Sequence, residues 1–273
     1  MESKKSEQID DTLRLGEDYF SLIKEFYDEV PDGLTSHRFK AWEYCYKYFH
    51  DNRKYLQSCE KLPNEALLIF SFYLASWGMY RGSSFLLSLD HTVHEAILKE
   101  LLLEDYNILM TDVSELNEEN EGKFVGKLLD AKDYITKEYK QFRETAINQQ
   151  NTFHTKIEKE VGEKKHPDSE ISDILASKIL LGVFGCIPAY DTFFKQGIKK
   201  ILPIPAGKKR YPISQNFSKE SVERIIECYE QNKGLFDAHS YTLKIDNSIP
   251  YPTMKKIDML FWLEGYRKSQ KEE

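Results

Sequence analysis

The chain has 273 residues, 41% of them hydrophobic and 13% aromatic. It can therefore bury a full core in one large domain or two small ones, and it is not disordered over most of its length. Its formal net charge of −7 argues against a general nucleic-acid binder, which needs a basic surface to face phosphate. Cys45, Cys59, Cys186 and Cys228 are scattered with no C-x-x-C pair, the pattern of reduced thiols used as small hydrophobes rather than of a disulfide framework or zinc site.

Only eight of the 38 basic residues are Arg, leaving 30 Lys, a skew that accompanies AT-rich genomes and points to a bacterial source. Met1 to Asp11 is charged and has no apolar centre, so no signal peptide is expected and the cytoplasm is the expected location. Leu67 to Leu89 is long enough to span a bilayer, but it carries Arg81 and five Ser. Its dense apolar part is about half of the roughly 20 residues a span requires. A buried helix and no membrane is the expectation.

In chain order, Leu13, Leu15, Tyr19, Leu22, Ile23, Phe26 and Val30 recur at helical steps and stop at Pro31-Asp32-Gly33. Ser36 can cap a second helix carrying an aromatic stripe of Phe39, Trp42, Tyr46 and Phe49. Pro63-Asn64-Glu65 opens a third, nearly all-apolar helix from Ala66 to about Trp77, predicted at the centre of the fold. Asp90 can cap a fourth from His91 to about Leu109. An acidic connection, residues 111–122, leads into a proline-free segment from Lys123 to about Glu163. There Ile135, Tyr139, Phe142, Ala146, Phe153, Ile157 and Val161 form a narrow seam. Ile171 to Phe184 is a second apolar helix, and Ala189 to about Lys200 a short one. Residues 202–212, with three prolines, read as extended loop. Ser218 begins a helix to about Lys233, Tyr241 to Ile245 is the one short strand candidate, and the last helix runs from Thr253 to about Lys268.

The expected fold is all-α: one multi-helix core built on the apolar helices at about 66–77 and 171–184, with residues 115–167 as a polar helical arm. Each central helix is too apolar to stay exposed, so they should pack together.

Two segments share a design. Trp77 to Ser84 and Gly182 to Phe194 each end an apolar helix in glycines, an aromatic and a charge of opposite sign. Arg81 and Asp191 are expected to approach each other, and Trp77, Tyr80, Arg81, Ser83, Ser84, Tyr190 and Asp191 form the candidate ligand site. The alternative is a buried structural ion pair. His91 and His94, three apart, could hold a metal or pair with Asp90 or Glu95, but near a helix start they read as surface residues. Lys195 to Arg210 holds six basic residues and no acid, so Lys208, Lys209 and Arg210 are candidate phosphate contacts; helix-dipole charge explains the first half equally well. Walker A, G-x-G-x-x-G, G-x-S-x-G, H-E-x-x-H and kinase motifs are absent, and no cofactor is expected. Whether the chain is an enzyme stays open. These features favour an interaction or regulatory protein whose 123–163 helix meets a partner or a second copy. The alternatives are a small-molecule binder or enzyme using the two glycine-broken segments, and a nucleic-acid-linked stress or defence factor.

Overall fold

Apolar residues at three- and four-residue steps fold as helices whose buried faces converge. The structure, a computed structural model, describes residues 13–29, 39–82, 84–157 and 171–269, with side chains described to 145 in the long helix and to 267 in the last. Over these residues the fold is all-α with one small hairpin. The elements are α1 (Glu17–Glu29), α2 (Lys40–Ser58), α3 (Asn64–Ser76), α4 (Glu95–Leu101), α5 (Glu121–Ile157), α6 (Asp173–Phe184), α7 (Thr192–Ile201), α8 (Lys219–Gln231), α9 (Lys233–Ala238), β1 (Thr242–Leu243), β2 (Asp246–Pro250) and α10 (Thr253–Ser269). Ser36 and the Pro31–Gly33 stop lie outside the described residues. Buried side chains from Leu13 to Leu263 form one contiguous hydrophobic cluster.

The two apolar helices do meet at the centre. Every residue of α6 from Leu175 to Phe184 is buried, between a Ser172 N-cap and a left-handed Gly185. Gly182 lets α3 come close: a Cβ there would lie 2.4 Å from Cε1 of Tyr73. The Tyr73 hydroxyl donates to the Lys178 carbonyl at 2.9 Å. From α2, Trp42 Nε1 donates to the Leu181 carbonyl at 2.9 Å, tying the aromatic stripe to the same helix.

The tightest crossing joins α7 to α10. A Cβ on Gly197 would sit 1.8 Å from the Phe261 carbonyl oxygen, and one on Gly265 would sit 1.9 Å from that of Phe193. Only two glycines allow backbones to touch in this way.

Two expectations change, and a third is met but incomplete. The helix foreseen from 91 to 109 is broken into a 3₁₀ turn (His91–His94), α4, and a second 3₁₀ turn (Glu104–Met110). Its buried residues Tyr106 and Leu109 are three apart, the repeat of the tighter helix. The polar arm does not begin at 123: Phe124, Val125, Leu128, Ala131, Ile135 and Tyr139 are all buried in the body. Ile135 and Tyr139 therefore cover this chain's own core, and the seam from Ala146 onward lies outside the described side chains. The strand candidate is half of a hairpin, whose second strand, Asp-Asn-Ser-Ile-Pro, has no alternating pattern to reveal it. Asp246 anchors it to α2 by an ion pair with Lys47 at 2.7 Å. Among the described residues no helix is long and apolar enough to cross a membrane.

Candidate functional site

The glycine-broken segments converge, but not on an open pocket. Asp191 caps α7, its Oδ1 accepting from the Phe194 amide at 3.0 Å. The cation facing its Oδ2 is Lys178 of α6, at 3.6 Å, rather than Arg81. Lys178 also donates to the Trp77 carbonyl at 2.9 Å. A second buried pair, Lys255–Asp258 at 2.7 Å, stands beside it. Asp258 accepts from the Ala189 amide at 2.9 Å. Trp42, Trp77 and Trp262 wall the group; the Lys255 ammonium lies 4.9 Å from the Trp42 ring and 5.7 Å from that of Trp77. Burial pushes the Lys178 pKa down and that of Asp191 up, each partly countered by the other's charge. The remaining gap is about 10 Å³, room for no more than a water. This is a packed ionic core.

Arg81 is exposed, and its charge reaches this core only as a repulsion felt by Lys178. The cause is local. Gly78 and Gly82 take positive φ and turn the chain after α3, folding the Arg81 guanidinium back over Gly78. Tyr190 is fully buried, stacked on Phe217 and bonded to Ser221 at 2.6 Å, so it packs rather than binds. Ser84 caps the Phe85–Ser88 turn and donates to the Met79 carbonyl. Ser83 lies outside the described residues. Lys208, Lys209 and Arg210 are exposed on the 202–217 loop, whereas Lys200 is engaged with the buried Glu264.

Tyr80 belongs to a different unit. Its hydroxyl lies 2.6 Å from His94 Nε2, and the Tyr139 hydroxyl lies 2.6 Å from Nδ1. His94 is fully buried, not a surface residue, because the 3₁₀ turn aims it under Phe70 and onto α5. Burial depresses its pKa from 6.5 to about 3. The folded imidazole stays neutral while the unfolded one takes a proton below 6.5, so this contribution is full above 6.5 and is lost as pH falls towards 3. Urea unfolding should show the protein losing about 2 kcal/mol on this account between neutral pH and about pH 5. His94→Gln, neutral at every pH, should remove that part of the slope; an unchanged slope would rule out the buried neutral imidazole as its source.

The roomy cavity lies elsewhere, about 490 Å³ in volume, where α2, the 110–115 segment, the Gly185 turn and the start of α10 meet. The glycine at 185 is required there: φ is +66, and a Cβ would lie 2.5 Å from Cγ of Pro252 and 3.0 Å from the Tyr46 ring. Asp112 links two walls. Its Oδ1 accepts from the Ser114 amide at 2.9 Å and its Oδ2 from the Thr253 amide at 2.6 Å. A carboxylate at the N-terminus of α10 is held by the free amides and the helix dipole. Tyr46 and Thr253 line the cavity and are only 7% and 4% exposed. Among the described residues neither hydroxyl has a hydrogen-bond partner, and neither oxygen is sealed off from the cavity. Burial, then the Asp112 charge, raises the Tyr46 pKa, so its hydroxyl keeps its proton. The Lys256 pKa is lowered by burial against the pull of Asp112 and Asp237. Cys186 is held as a thiol by burial, which makes it inert as a nucleophile.

Of the two segments read as a candidate site in the sequence, only the Gly185 turn reaches this cavity, joined there by Tyr46 of the aromatic stripe. Asp112 and Thr253 gave no signal, being 141 positions apart and each in an ordinary setting. Among the described residues no group of three or more His, Cys, Asp or Glu could hold a metal. No protein-family model, curated protein or solved structure matches the chain, so its function has to be argued from this geometry.

Proposed function

We propose that the chain is a small-molecule-binding protein and that the cavity beside Gly185 is its site. One observation carries the reading: Tyr46 and Thr253, more than nine-tenths buried as residues, bring hydroxyls without a protein partner to a cavity of about 490 Å³, and those oxygens stay reachable from it. Binding sites typically measure about 300–1,000 Å³ and pair apolar walls with a few convergent polar groups. Phe184, Ile249 and Met254 supply the walls. Hydroxyls that no protein group engages can each donate and accept, and they are available to water or to a ligand in the cavity. Binding fits the lining better than catalysis, since burial keeps its cysteine a thiol. A partner-binding role needs a surface other than the start of the 135–161 seam. On α3, Leu68 and Phe72, 49% and 66% exposed, are the apolar side chains left outside.

A thermal-shift screen of metabolites tests the proposal. A ligand at a hundred times its Kd adds about 2.7 kcal/mol and raises the melting temperature of the parent by several degrees. Thr111→Trp, at a half-buried wall position, should fill the cavity and abolish the shift without unfolding the protein. A hit unaffected by that change, or no hit across the library, would overturn the proposal.

A further inference from the structure

We infer that the ligand is a small protonated amine with an apolar body; the inference rests on the binding reading above and names its chemical class. Three carboxylates, Asp112, Glu115 and Asp237, line the cavity against one ammonium, Lys256. That ammonium donates to the Phe236 carbonyl at 3.1 Å, and its single charge, felt by Asp112 and Asp237, offsets only one of the three carboxylates. His50 stands at the rim with Nδ1 engaged by Asp51 at 2.9 Å. The uncompensated charge facing the space is therefore negative, and a ligand carrying positive charge is favoured there.

The donors and acceptors agree with the charge. Each Asp112 oxygen uses one lone pair on a backbone amide and keeps another. The Tyr46 and Thr253 hydroxyls can each accept as well as donate. An ammonium brings three donors and no acceptor, which matches a carboxylate and two hydroxyls. A carboxylate ligand would instead meet Asp112 as a like charge, at a cost that rises in a partly desolvated site. Aromatic rings of Tyr46, Phe184 and Tyr251 line the same space, and a cation over such faces gains further. Ile249 and Met254 take the carbon body.

The test uses three probes of one shape and different charge: tyramine, 4-ethylphenol and 3-(4-hydroxyphenyl)propionate, titrated calorimetrically into the full chain. Tyramine should bind at least about tenfold more tightly than either of the others, a difference of about 1.4 kcal/mol. Tyr46→Phe removes only a hydroxyl that bonds to nothing in the fold, so stability should hold while tyramine affinity falls several-fold. Glu115→Gln with Asp237→Asn, both exposed at the mouth, should weaken tyramine and leave 4-ethylphenol unchanged. Preference for the carboxylate or the neutral probe would overturn the amine class while leaving the cavity as a binding site. Binding of none of the three would also overturn it, and the metabolite screen with Thr111→Trp then decides the broader reading separately.

Discussion

Gly197→Ala should destabilise the protein by about 3 kcal/mol or more, at or beyond the upper end of what overpacking usually costs. The added methyl would lie 1.8 Å from the Phe261 carbonyl oxygen and 2.5 Å from its carbon. Those are backbone atoms of α10, so no side chain can rotate away and the helices must separate. Alanine's better helix propensity returns only about 1 kcal/mol. Gly265→Ala should behave alike, since its methyl meets the Phe193 carbonyl oxygen at 1.9 Å from the other side. Gly126, exposed on α5 with nothing within 4 Å of its would-be Cβ, is the control. Gly126→Ala should stabilise by up to about 1 kcal/mol. Urea unfolding of the three variants is the measurement, and a Gly197→Ala protein within about 0.5 kcal/mol of the parent would mean that the crossing is not this close.

Lys178→Ala should cost about 3–5 kcal/mol, because it leaves the Asp191 carboxylate buried among tryptophans without its cation. Arg81→Ala, removing an exposed side chain, should change stability by less than about 0.5 kcal/mol. The contrast decides which basic residue neutralises Asp191. Restoring neutrality should rescue much of the loss: Lys178→Met with Asp191→Ser deletes both charges and keeps an oxygen to cap α7. The effect also has a sign in pH. Burial already raises the Asp191 pKa, and losing Lys178 raises it further, so in the variant the folded state binds a proton more readily than the unfolded chain. The deficit of Lys178→Ala relative to the parent should therefore shrink as pH falls into the carboxylate range. A constant deficit would show that the lost lysine stem, rather than the unpaired carboxylate, is what destabilises.

Local pattern carried most of the helices into view. Pro63 and the apolar run after it, the Asp90 and Ser218 caps, and the glycine after Phe184 each act within one turn of their own position. Their consequences can be read without knowing what packs against them. The burial of α3 and α6 against each other was legible for a related reason: helices that apolar cannot face water.

Which charge met which was not legible. Arg81 and Asp191 stood out because each follows a glycine-broken helix, yet Lys178 in the middle of Ala-Ser-Lys-Ile-Leu-Leu-Gly was the stronger signal. A single cation in an otherwise apolar helix, buried on every side, must find its anion inside the fold. His94 likewise depended on a 3₁₀ turn that aims it inward. The cavity lay furthest from the sequence. Its walls come from separate segments, Asp112 meets Thr253 across 141 positions, and the idle hydroxyls of Tyr46 and Thr253 can be recognised only once every neighbour is placed. Helix spacing and capping are nearest-neighbour physics that the order of residues determines by itself; the sharing of buried charge and the leaving of a space unfilled are decided by contacts between distant segments, which only the tertiary structure supplies.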